Sequence, residues 1–147
     1  MRRLILLVAA CLPGLAADQT ICPVMNAATA GGLLEGPTDL AVTKTGGVAS
    51  CEFTRRNSTA KLQIEVVTMG EPRAELAAYK AQCAGPADPI KSIGTDAVAC
   101  SSNRTTQQVT GRVRNEAFLI RISGAFPPDA LRKKALSAAE LVAGNLF

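Results

Sequence analysis

The cysteine pattern restricts this chain most: Cys22, Cys51, Cys83 and Cys100 lie in the body of the sequence and a fifth, Cys11, in an apolar leader. An even count in a small domain reads as a disulfide framework made in an oxidising compartment. Four cysteines allow three connectivities, and the sequence-local one, Cys22 with Cys51 and Cys83 with Cys100, is the expectation. In the chain-entropy account each such loop contributes roughly 3–4 kcal/mol, a large share of a small domain's net stability. No two cysteines have the Cys-x-x-Cys spacing, so neither a thioredoxin-like redox motif nor a zinc ribbon is indicated.

The leader supports export. Met1-Arg2-Arg3 is followed by the apolar run Leu4 to Leu12, then Pro13-Gly14 and the small pair Ala16-Ala17, the three parts of a secretory signal peptide. The run falls short of the roughly 20 apolar residues of a membrane span. Cleavage after Ala17 is expected, giving a signal peptide at 1–17 and a single exported α+β domain at 18–147. Val8-Ala9-Ala10-Cys11 also fits a lipobox, which makes Cys11 a candidate lipidation site and lipid anchor. Only ten residues precede it, and the preferred reading is a small apolar residue of the signal core. Of the 16 basic residues, Arg2 and Arg3 leave with the signal, so 14 face 12 acidic ones and the net charge is only +2. With five aromatics and no basic-aromatic interleaving, nucleic acid is excluded as a partner.

The body reads as helix, two strands, helix, three strands, helix: an α+β domain with an antiparallel sheet of about five strands, helices packed on it, and two disulfides. Asn26 is a good N-cap for a short first helix, and Gly36-Pro37 a stop. Residues 37–47 read as a polar linker ending in the turn signal Thr45-Gly46-Gly47. From Val48 to Met69 two arms alternate strictly: Ala49, Cys51 and Phe53, then Leu62, Ile64 and Val66, share one face, and Glu52, Lys61, Gln63 and Glu65 the other. Pro72 opens a second helix with Leu76, Tyr79 and Cys83 on one stripe. Three strands follow, one carrying Cys100, then Gln107–Arg114 and Ala117–Ser123. In the last, Phe118, Ile120 and Ile122 face inward, and Leu119 and Arg121 outward. Leu131, Ala135, Ala138, Val142 and Leu146 give the final helix a continuous apolar stripe. The element order is similar to sandwich domains of the Mog1/PsbP type, at the level of fold alone.

Four segments carry a further resemblance. Ile21-Cys22-Pro23-Val24-Met25 with its short helix, Ala49-Ser50-Cys51-Glu52-Phe53, the Ile93-Gly94-Thr95-Asp96-Ala97 turn and the helical tail together resemble small secreted or lipoprotein domains of unknown function found in bacteria, especially actinobacteria. The resemblance implies a Cys22 to Cys51 bridge and lends weight to lipidation at Cys11. It brings no catalytic residues.

The chemistry absent is as informative. There is no histidine, which removes Ser-His-Asp and Cys-His catalysis, histidine zinc sites and the usual near-neutral base. Neither G-x-S-x-G, a P-loop nor G-x-G-x-x-G occurs, and no cofactor is implied. Glu52 and Glu65 remain as carboxylates on a wet face, without the tryptophans a sugar cleft wants. The basic candidates for partner binding are Arg55 and Arg56 at the hairpin tip, Arg112, Arg114 and Arg121 on adjacent strands, and Arg132-Lys133-Lys134, whose charge opposes the helix dipole. The expected function is a non-catalytic exported binding domain of the cell envelope, its partner an envelope or extracellular protein or a small ligand. The alternative is an inhibitor of a secreted hydrolase, and a histidine-free carboxylate hydrolase comes third.

Overall fold

The computed structural model describes residues 21–147. The expected signal peptide at 1–17, Cys11 included, lies outside the described residues. In chain order the elements are α1 (Ala27–Leu34), β1 (Thr38–Thr45), β2 (Val48–Arg55), β3 (Lys61–Val67), α2 (Pro72–Lys80), β4 (Asp88–Ile90), β5 (Thr95–Asn103), β6 (Thr106–Val113), β7 (Glu116–Ser123) and α3 (Pro128–Asn145). The strands form one antiparallel sheet in the order β1-β2-β3-β7-β6-β5-β4. The expected α+β class with two disulfides holds, while seven strands replace the five expected.

The two added strands are both edges. Residues 38–45 form β1 where a linker was expected: Leu40 and Val42 turn inward while Asp39, Ala41 and Thr43 face water. The pattern has period two but only two large apolar residues, as suits an edge strand with one neighbour. Gly46 and Gly47, both at positive φ, close β1 onto β2 in a two-residue turn. A Cβ on Gly47 would lie 2.6 Å from that of Met69, so glycine is required there on two counts. At the opposite edge, β4 is three residues long and includes Pro89, tolerable only on an edge.

One face of the sheet carries the main core. Cys51, Phe53, Leu62, Ile64, Phe118, Ile120 and Ile122 pack against Ala30 and Leu34 of α1 and Leu131, Ala135, Ala138 and Val142 of α3. Asn26 caps α1 as expected, its Oδ1 accepting the Thr29 N–H at 2.8 Å. The Cys22–Cys51 and Cys83–Cys100 bridges are both formed. The first fastens the segment before α1 to β2; the second fastens the exit of α2 to β5.

Helix α2 lies on the other face, where Tyr79 packs with Val67, Ala117 and Leu119. Leu119, expected to look outward into water, is therefore buried at 1% exposure beneath a second layer. A nine-residue helix is only about 13 Å long, whereas eight-residue strands run about 26 Å, so α2 covers half of this face. The polar residues described next lie beside it.

Candidate polar recognition site

Beside α2 lie two cross-strand rows, the first partly covered where Gln108 and Cys100 meet the end of the helix. Register places Glu52, Gln63, Arg121, Gln108 and Cys100 in one row across β2, β3, β7, β6 and β5. The next row is Thr54, Lys61, Ser123, Thr106 and Asn103. Between them is a recess of about 240 Å³ lined by Lys61, Gln63, Ser102, Asn103, Thr106, Arg121 and Ser123.

Its organiser is Gln108, which is fully buried. The Gln108 Nε2 donates to the Tyr79 carbonyl in the last turn of α2 at 2.8 Å. Its Oε1 accepts from Ser102 Oγ at 3.0 Å and from Arg121 Nε at 3.2 Å. One amide thus joins the second-layer helix to the recess and holds the half-buried Arg121 by its inner nitrogen. Among the described residues the two outer nitrogens of Arg121 have no hydrogen-bonding side-chain or backbone partner, and they are not among the buried orphaned atoms. A guanidinium gripped at Nε and open at both Nη atoms presents the fork that receives a carboxylate or phosphate in two parallel bonds.

The carboxylates nearby are already engaged. Glu65 accepts from Gln63 Nε2 at 2.9 Å and from the Tyr79 hydroxyl at 3.2 Å. Burial first, and the Glu65 charge second, push the Tyr79 phenol well above its ordinary value, so it remains a donor across the physiological range. Glu52 pairs with Lys61 at 3.1 Å. Neither glutamate is left as an unpartnered acid or base for hydrolysis.

The other basic candidates are dispersed. Arg112 shares the face of Arg121 but stands opposite Ala117, four residues, or about 13 Å, along the ladder. Its Nη2 contacts Asp96 at 3.4 Å and its Nη1 the Arg114 carbonyl at 3.3 Å, while Nε is buried without a partner. Arg114 lies in the β6–β7 turn at positive φ rather than on a strand. The arginines of these strands do not converge on one basic face. At the β2–β3 tip, Arg56 pairs with Asp39 at 2.8 Å and its N–H is bound by the Pro37 carbonyl. The Arg55 side chain lies over Gly36. Arg132 bridges to Asp88 of β4 at 2.9 Å, tying α3 to the edge strand. Lys134 donates to the Leu33 carbonyl and to Glu35, closing the end of α1, and sits 4.8 Å from the Phe126 ring centre.

Sequence reasoning placed Arg121 on the correct face and missed Gln63, Ser102, Asn103, Thr106, Gln108 and Ser123. Gln63, Thr106, Gln108 and Ser123 alternate legibly along β3, β6 and β7, whereas Ser102 and Asn103 of β5 do not, and nothing in one sequence shows which strands become neighbours. Among the described residues, no cluster of three or more histidine, cysteine or acidic side chains could hold a metal ion, and no helix is long and apolar enough to cross a membrane. No protein-family model matches the chain, and neither a curated protein nor a solved structure matches it.

Proposed function

We propose that this chain is an exported, non-catalytic binding domain, and that its recess at Arg121 takes an anionic group carried on a hydroxylated ligand, such as an acidic glycan or a polyol phosphate of the cell envelope. The observation that carries this is the fully buried Gln108, which anchors Arg121 by Nε and leaves both Nη atoms open. A merely solvated arginine needs no buried amide behind it, and burying an amide costs free energy unless each of its bonds is made. Around the fork, Ser123, Thr106 and the Asn103 amide supply the short polar groups that suit hydroxyls. Two disulfides fit an oxidising, extracytoplasmic setting.

The test is calorimetric titration and thermal shift with glucuronate and glycerol phosphate, with glucose and glycerol as neutral controls. One bidentate pair with a few hydroxyl contacts corresponds to a Kd on the order of 0.1–1 mM. Ligand at ten times Kd then raises stability by about 1.4 kcal/mol, a shift of roughly 3–5 °C. Arg121→Ala should abolish the shift, with Arg121→Lys retaining part of it. An equal response in wild type and Arg121→Ala would refute the recess as the site. Turnover of a glycan lost in Glu52→Gln or Glu65→Gln would refute the non-catalytic reading.

A further inference from the structure

Helix α2 is weakly built and is fastened to the sheet at its C-terminal end. It has nine residues, too few to be stable alone, and its N-cap, Glu71, makes no side-chain capping bond. Its approach, residues 68–71, is exposed, and the helix buries only Leu76 and Tyr79. Three links hold its far end. The Gln108 Nε2 donates to the Tyr79 carbonyl at 2.8 Å, the Ala84 N–H donates to the Ser101 carbonyl at 2.9 Å, and Cys83 is bonded to Cys100. All three converge on the recess. Cys100 stands directly opposite Gln108 between β5 and β6, and Gln108 directly opposite Arg121 between β6 and β7. Ser101 adjoins Ser102, whose hydroxyl donates to Gln108. The covalent link is thus one cross-strand step from the amide that grips Arg121.

The two bridges differ in access. Cys22 and Cys51 are 5% and 1% exposed within the main core. Cys83 is only half-buried, and Ala81, Gln82 and residues 84–89 around it are exposed. Access to a sulfur governs which disulfide a thiolate can attack. From this we infer that the Cys83–Cys100 bridge is a redox switch for the Arg121 recess, opened by an extracytoplasmic dithiol while Cys22–Cys51 stays closed; the inference rests on the recess being the binding site. A thiolate of the dithiol attacks Cys83 Sγ, the S–S bond breaks, and Cys100 leaves as a thiolate that takes up a proton. The second thiol of the dithiol then attacks the mixed disulfide and releases Cys83, which likewise ends as a thiol. Two electrons and two protons pass to the protein, and the dithiol becomes a disulfide. The end of α2 then opens locally, because the main core lies on the other face of the sheet and carries its own bridge. The Tyr79 carbonyl moves off Gln108, water reaches the amide, and Arg121 loses its fixed anchor.

The full chain in its oxidised state is treated with graded dithiothreitol without denaturant, and free thiols are trapped with iodoacetamide and located by peptide mass. Cys83 and Cys100 should be labelled at concentrations that leave Cys22 and Cys51 unlabelled. In that state amide exchange across 72–84 should rise by roughly tenfold or more while β2 and β3 stay protected. Affinity for glucuronate should fall roughly tenfold, the worth of one charge-assisted hydrogen bond held in place before binding. Cys83→Ser/Cys100→Ser should show the same weakened binding and no response to dithiothreitol. Opening of Cys22–Cys51 first, unchanged exchange across α2 once Cys83–Cys100 is reduced, or equal affinity in the two states would overturn the switch alone. Oxidised protein that binds neither glucuronate nor glycerol phosphate would overturn the recess reading and the control of binding with it, and the exchange measurement separates that failure from a bridge that does not govern α2.

Discussion

Replacing Gln108 by methionine separates the architectural and recognition roles of the polar face. The side chain is fully buried and makes three hydrogen bonds: to the Tyr79 carbonyl, from Ser102 Oγ and from Arg121 Nε. Methionine nearly conserves volume, so the cavity cost is small and the loss is that of the bonds. The Tyr79 carbonyl keeps the Gln82 N–H at 3.1 Å, and Ser102 and Arg121 can turn to water. No partner is left stranded, and each bond counts at its net value of about 1 kcal/mol, with the charged one somewhat higher. The expected destabilisation is about 2–4 kcal/mol. In urea, with a slope of about 1.5 kcal/mol/M, the midpoint should fall by roughly 1.3–2.7 M at unchanged slope. The folded variant should also lose most of its affinity for glucuronate, since Arg121 is no longer held. A midpoint within 0.3 M of wild type, at roughly the precision of such data, would refute the assignment of Gln108 as the link between α2 and the recess.

Removing the bridges should have graded effects: Cys22→Ser/Cys51→Ser, opening a separation of 29, should cost about 3.6 kcal/mol, and Cys83→Ser/Cys100→Ser, with 17, about 3.2 kcal/mol, read by denaturant unfolding. Glu35 is held below the ordinary carboxylate range by the hydrogen bond from Lys134 and then by its charge. Its folded pKa is depressed, so its contribution is present above the unfolded value and lost as pH falls through the folded one. Glu35→Gln should therefore lower the melting temperature slightly near pH 7 and converge with wild type in acid, once Glu35 is protonated in the folded state as well; curves that stay parallel through the acid range would count against the pairing.

What could be read from the sequence was set by how strongly each segment repeats. The 48–69 hairpin alternates without interruption, and its faces are those observed, down to the Leu62, Ile64 and Val66 side. The α3 stripe was equally legible, four of its five residues being buried. Edge strands were not. With one neighbour, β1 needs only Leu40 and Val42, and its threonines satisfied a turn reading as well as a strand. Arg121 and Leu119 point the same way on β7, yet one lines a recess and the other lies under α2. That difference depends on where a nine-residue helix lands, a fact of tertiary packing. The outer face did carry a signal: Val67, Ala117 and Leu119 are apolar where water was expected, and Leu76 and Tyr79 needed something to cover.

An antiparallel sheet sends each strand from one end of the molecule to the other, and here the two ends differ in chemistry. β3 begins at Lys61 beside the recess and finishes at Val67 beside a groove lined by Pro23, Val24, Ala49, Val66 and Leu146, about 20 Å away. The first disulfide has a mechanical consequence at the start of the described chain. A pull applied at Ile21 would meet Cys22 first, and pass through the bridge to Cys51 in the middle of β2, a strand hydrogen-bonded on both sides. Without the bridge the same pull would act on α1, an eight-residue helix containing Gly31 and Gly32, which has little intrinsic stability to resist it. The covalent link thus transfers the load from the weakest element to the sheet, and the recess at its far end keeps its geometry.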